Sequence, residues 1–296
     1  MIQCHKNKVL GAFWAAFAIL IWSGSLVLLR QGVTTHLNTF DLTALRFGAA
    51  AVLLFPVVLK RGFALDRLGL VGLVLLVACF GAPYIVLISE ALKTASASAA
   101  GALNPGIMSV SAVILGIILF HDRAGLTHII GIALILLGTC GQVTWAVAGF
   151  TNGHVILVLT GIMWAAYTMI MRKSGIAALH ATALVAVGSA LLYLPVYAFA
   201  LPKQIFYAPL PDILLQAGFQ GVLVSVVAVY AFNRSTELLG AVIGSTLPAL
   251  IPLVTLLLGA IFLGEPFQAN ELAIALTIGA GVALTLTRRQ PVAVLS

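Results

Sequence analysis

The sequence predicts an all-α membrane protein of ten transmembrane helices arranged as two inverted five-helix repeats. Three observations point there. Of 296 residues, 62% are hydrophobic and 8% charged, with a mean hydropathy of +1.16, whereas soluble domains carry roughly 25% charged residues. Glycines and prolines divide the chain into ten apolar runs, each near the ~20 residues that cross ~30 Å of hydrocarbon. Landmarks of the first half also recur in the second at a nearly constant offset.

The expected spans are 9–29, 40–59, 68–89, 96–120 and 126–147, then 154–171, 181–201, 211–232, 241–263 and 271–287. The first run follows Lys6 and Lys8 as a signal peptide would. At about 21 residues, and without a clear small-residue cleavage site, it is expected to stay as an anchor. With the amino terminus in the cytoplasm, one side holds Lys6, Lys8, Lys60, Arg61, Arg67, Arg123, Arg172, Lys173, Arg234, Arg288 and Arg289. The other side holds Arg30, Lys93 and Lys203, and Arg46 falls inside a span. By the positive-inside rule both termini are expected in the cytoplasm. The net charge of +7 is therefore orientation charge. No basic cluster with interleaved aromatics suggests a nucleic-acid partner, and the expected partners are the bilayer and a small molecule. Cys4, Cys79 and Cys140 are scattered, so neither a disulfide framework nor a metal site follows, and no cofactor is expected.

Laying residues 151–296 over 1–150 exposes the repeat. Trp22 and Arg30 match Trp164 and Arg172 at an offset of 142. Thr43, Ala44, Leu45 and Pro56 match Thr182, Ala183, Leu184 and Pro195 at 139, while Gly101, Pro105 and Gly116 match Gly244, Pro248 and Gly259 at 143. Five spans per half is an odd number, so the second half enters the membrane from the opposite side. Secondary transporters are often built this way, with a substrate site between the repeats near the midplane.

With these landmarks in place, the chain resembles the EamA-type members of the drug/metabolite transporter superfamily. The resemblance is carried by two five-span halves, the tryptophan of IWSGS in the first span, Leu45-Arg46-Phe47 in the second, and proline-containing fourth and ninth spans ending in HDR and GEP. It looks nearest to bacterial exporters of aromatic and other neutral amino acids. That implies an alternating-access carrier and no enzymatic activity.

Candidate site residues follow from depth and symmetry. Trp14 and Trp145 lie near span ends, as interfacial tryptophans do. Trp22 and Trp164 lie deep inside their runs, ~20 Å and ~15 Å from the span starts at 1.5 Å per residue. Packing or lipid contact would explain each one singly, but the symmetric pair favours a shared cavity. Ser25 and Tyr167 sit beside them with hydroxyls, the usual polar complement of an apolar pocket. Pro105 and Pro248 should free backbone carbonyls near Gly101 and Gly244, placing Asn104, Ser245 and Thr246 beside helix breaks, either in a cavity or in plain interhelical hydrogen bonds. Tyr84 and Tyr230, at an offset of 146, are candidate constrictions on opposite sides or ordinary buried tyrosines. Arg46, ~9 Å into its span, is expected to be peripheral and paired with Glu90.

The expected cavity is thus uncharged and aromatic-walled. A cation exporter would want an acidic residue in the first span, and a carrier of phosphorylated solutes would want buried Lys or Arg. Neither is expected in the cavity, which leaves neutral amino acids as the best-fitting substrates; export of another small metabolite or drug, and a passive channel, are the alternatives. An intramembrane protease would need an HExxH motif or a buried Ser–His pair, and the sequence has neither signature.

Overall fold

The computed structural model describes residues 2–34, 36–95, 97–122, 125–144, 151–240, 243–244, 247–263 and 269–286. In chain order they form α1 (Ile2–Thr34), α2 (Thr39–Arg61), α3 (Leu65–Phe80), α4 (Ala82–Thr94), α5 (Ala97–Phe120), α6 (Leu126–Thr144), α7 (Asn152–Ser174) and α8 (Ala178–Ala200). There follow α9 (Leu210–Gln216), a π-helical segment (Ala217–Ala228), α10 (Val229–Leu239), a 3-10 turn (Leu247–Leu250), α11 (Ile251–Leu263) and α12 (Ala269–Leu286). No strand occurs among the described residues. Among the described residues, seven helical stretches are long and apolar enough to cross a membrane: Asn7–Val33, Thr39–Arg61, Leu65–Thr94, Ala99–Phe120, Asn152–Ser174, Ala178–Ala200 and Leu210–Leu239. Shorter apolar helices, Leu126–Gly141, Leu247–Leu258 and Leu272–Leu284, fall in the runs expected as spans five, nine and ten.

Polarity is distributed inside out relative to a soluble protein. Val52 is 76% exposed and Phe199 92%, with Leu70 and Ile261 also on the outside. Ser23, Thr43, Asn104, Gln220 and Asn233 are buried. An oily exterior needs a hydrocarbon solvent. Helices in such a solvent associate through small residues and interhelical hydrogen bonds rather than by burying apolar surface. Gly161 shows the first device: a Cβ there would lie 2.7 Å from the Asn104 carbonyl oxygen and 2.8 Å from Ile107 Cβ. The backbones of α5 and α7 therefore touch.

Interhelical pairs fix the direction of each helix. Asn104 meets Thr160 and Asp122 meets Arg172, so α5 and α7 run parallel. Tyr193 meets Phe40 and His180 meets Gly62, so α2 and α8 are antiparallel. One end of the bundle, here the His36 end, gathers Arg30, Ala95, His36 and Asp212. The other, the Arg172 end, gathers Gly62, Asp122, Arg172, Gly175 and His180. Helix α1 climbs to the His36 end while its counterpart α7 descends from it. Contacts also respect exchange of the halves: α1 packs on α10 as α7 packs on α4, and α5 packs on α7 as α11 packs on α1.

Two helix breaks differ from the expected pattern. The third run, expected to be continuous, splits at Gly81, where a Cβ would lie 2.1 Å from Ser189 Oγ of α8. That hydroxyl accepts the Ala82 N–H at 3.0 Å, satisfying a donor that the break frees. Conversely, α5 runs on through Pro105, because in hydrocarbon an interrupted helix would strand more backbone groups than a single proline does. At Pro248 the chain does change geometry, to the 3-10 turn. Ser245 and Thr246, like Trp145, lie outside the described residues. The capping box that opens α2 carries no apolar signal: Asn38 Oδ1 accepts from Phe40 N at 2.8 Å and Asp41 N at 2.9 Å, and Asp41 accepts from Asn38 N.

Candidate substrate cavity

A layer of aromatic rings crosses the middle of the bundle. Trp22 of α1 meets Trp164 of α7 edge to face, with centroids 5.0 Å apart and planes at 89°. Phe80, the last residue of α3, lies 6.3 Å from Trp22 and 5.4 Å from Trp164, and Phe232 of α10 closes the group at 5.3 and 5.6 Å. Tyr167, one helical turn beyond Trp164, stacks on Phe80 at 4.5 Å. Such offset and edge contacts are the geometries that ring quadrupoles favour.

From this layer a cavity extends toward the His36 end. Trp22, Ser25, Leu26 and Leu29 line one wall, at the i, i+3, i+4, i+7 spacing that places them on one face of α1. Phe80, Tyr84, Ile85 and Ile88 form a second wall, Ala100, Asn104 and Pro105 a third, with Arg46, Trp164 and Ile251 completing it. Atom-free space to the open mouth is about 510 Å³, of which about 50 Å³ admits the centre of a water-sized sphere. At ~10–15 Å³ per water on that measure, it holds a few waters. Seating a larger solute requires its side chains to part.

The polar atoms are organised in two sets. Tyr84 Oη donates to Asn104 Oδ1 at 3.0 Å, Asn104 Nδ2 donates to Thr160 Oγ1 at 2.7 Å, and Thr160 Oγ1 donates to the Leu157 carbonyl. Arg46 Nη1 donates to Gln220 Oε1 at 3.3 Å, and Gln220 Nε2 donates to the Ser25 carbonyl at 3.1 Å. Gln220 sits in the π-helical segment of the eighth run, a geometry frequent at functional sites. Two buried donors on the cavity lining, Arg46 Nε and Trp164 Nε1, have no hydrogen-bond partner among the described residues.

Of the expected site residues, Trp22, Ser25, Tyr84, Asn104 and Trp164 line this cavity. Tyr167 lies behind Phe80, fully buried, its hydroxyl donating to Asn233 Oδ1 at 2.9 Å. Tyr230 does not line this cavity; it packs edge to face on Trp14 at 5.7 Å. Ser245 lies outside the described residues. The expected Arg46–Glu90 pair does not form: Glu90 binds Lys93 at 2.7 Å, while Arg46 is 7% exposed and faces the cavity. The cavity is therefore not uncharged. Sequence depth alone could not show which way the Arg46 side chain turns within α2. Phe80, Phe232 and Gln220 were missed because neither mid-span depth in a symmetric pair nor a motif marked them.

Toward the Arg172 end the packing is sealed. Arg172 forms a two-point pair with Asp122 at 2.5 and 2.8 Å and covers the Phe120 ring at 4.0 Å. Asn233 Nδ2 donates to Thr182 Oγ1 at 3.0 Å, Glu237 accepts the Ala178 N–H, and Arg67 donates to the Gly175 carbonyl. Among the described residues no cluster of His, Cys, Asp or Glu could hold a metal ion.

A helical membrane bundle of two repeats, with a cavity between them that stops at an aromatic layer, is an arrangement suited to a membrane transporter. The sequence belongs to the EamA-like transporter family, whose model matches residues 9–144 and again 151–287. No curated protein matches the sequence. Among solved structures, one described only as a crystal structure of a protein superposes with a TM-score of 0.70 at 20% identity, covering 95% of this chain and 96% of that one. That likeness shows the fold.

Proposed function

We propose that the protein is an alternating-access carrier of the bacterial inner membrane that exports neutral amino acids, chiefly aromatic and large apolar ones. The observation that carries this reading is the cavity itself: an aromatic floor of Trp22, Phe80 and Trp164, aliphatic walls, and a few polar groups in Arg46, Ser25, Tyr84 and Asn104. A flat apolar side chain suits the floor and a carboxylate suits the polar groups, the division of labour common to small-molecule sites. Export agrees with the charge distribution. If the basic Arg172 end is cytoplasmic, the cavity faces the periplasm and the sealed packing faces the cytoplasm, as in a carrier resting after release.

Counterflow in proteoliposomes tests the reading. Labelled phenylalanine should exchange saturably against unlabelled phenylalanine and methionine. Uptake that never saturates would identify a channel, and absence of exchange for every amino acid would remove the substrate class. The ten-span topology is tested separately by reporters active only in the periplasm. One fused after Phe150 should be active and one after Ser296 silent.

A further inference from the structure

We propose that Arg46 is the anion subsite of the cavity, and that the group it selects is a single carboxylate, whether or not the solute also carries an ammonium group. This rests on the carrier reading above and deepens it. Arg46 is more than nine-tenths buried; its guanidinium lies 5.9 Å from the centroid of the Phe47 ring and donates to a neutral acceptor, Gln220 Oε1 at 3.3 Å, and among the described residues its Nε has no hydrogen-bond partner. Among the acidic residues whose side chains are described, Asp41, Asp66, Glu90, Asp122, Asp212 and Glu237 all engage other groups. A buried cation without a counter-charge is costly in a low-dielectric interior. A bound anion removes that cost.

The other orphan strengthens the assignment. Trp164 Nε1 is buried on the same cavity lining without a partner among the described residues, and it too is a donor. Both unsatisfied groups therefore ask for acceptor oxygens, and a carboxylate has two, in the planar arrangement a guanidinium fork matches. The lining holds no acidic side chain for an ammonium group and no second Lys or Arg for a phosphate dianion. Charge matching thus favours a monoanion, and an amino acid is recognised through its carboxylate while its ammonium group contributes little.

Binding to the full-length protein in detergent, read by tryptophan fluorescence, separates the possibilities with phenylalanine, 3-phenylpropionate, phenethylamine and phenyl phosphate. Phenylpropionate should bind at least as well as phenylalanine, and phenethylamine more than about tenfold more weakly, because the charge-assisted bond is lost. Arg46→Gln should abolish the preference of phenylpropionate over phenethylamine, and Arg46→Lys should keep part of it. Should Arg46→Gln fail to fold, Gln220→Glu leaves the guanidinium in place but gives it an internal carboxylate, and should weaken phenylpropionate binding about tenfold. Equal binding of phenylpropionate and phenethylamine, unchanged binding in Gln220→Glu, or preference for phenyl phosphate would overturn the assignment while leaving an aromatic carrier intact. Failure of all four compounds to bind would overturn both readings.

Discussion

Two hydrogen-bonded chains of the same composition lie on either side of the aromatic layer. On the cavity side Tyr84 donates to Asn104, which donates to Thr160. On the sealed side Tyr167 donates to Asn233, which donates to Thr182. In each, the threonine hydroxyl returns to a carbonyl of its own helix. The chemistry is shared but the surroundings are not: Tyr84 and Asn104 border a space that admits water, whereas Tyr167 and Asn233 are enclosed by α7, α8 and α10. Identical polar triads can therefore serve as a wettable wall or as a dry seal, depending on whether the neighbouring helices part.

The largest expected effect tests the dry seal. Asn233→Ala strands the Tyr167 hydroxyl without water and should lower stability by about 2–3 kcal/mol, read as a reduced melting temperature in detergent. Asn104→Ala should cost only about 1 kcal/mol, because cavity water can replace the lost acceptor at nearly the same enthalpy. Equal losses in the two variants would erase the distinction between wall and seal. On the floor, Trp22→Leu and Trp164→Leu should each weaken binding of an aromatic solute by up to about tenfold, with Trp14→Leu as the neutral comparison because its ring packs on Tyr230. A titration of phenylalanine in all three variants decides this.

The smallest expected effect concerns what holds the sealed end. Asp122→Asn removes the partner of Arg172 in a pair that is partly solvent-accessible, worth about 0.2–1 kcal/mol. Opening of the Arg172 end should become easier by no more than about fivefold, visible as a changed exchange rate in counterflow. A complete loss of exchange would mean that this pair positions the helices for both states rather than latching one.

Much of the architecture was legible because hydrophobic length and repeat offsets are properties of the chain alone. The depth of Trp22 and Trp164 placed both at one level, and the structure brings their rings into contact. Tyr230 shows the limit of the method. It matched Tyr84 by offset, yet it packs on Trp14, while the tyrosine whose hydrogen-bonded chain is like that of Tyr84 is Tyr167, from a non-equivalent helix. Symmetry in the sequence relates positions between halves. It does not say which interhelical partner each side chain finds.

Composition, charge bias and the internal repeat by themselves determined that this is a helical membrane protein built from two related halves, since those depend only on transfer of segments into hydrocarbon and on the order of residues. The rotation of each helix about its axis was decided only by tertiary packing. That rotation turns Arg46 from an expected surface pair with Glu90 into a buried cation facing the cavity. It also sets Gln220, through the wider turn of the π-helical segment, within reach of it. A helix that is apolar on nearly every side carries little pattern to reveal its inner face, so close contacts between backbones, as at Gly161 and Gly81, make that choice.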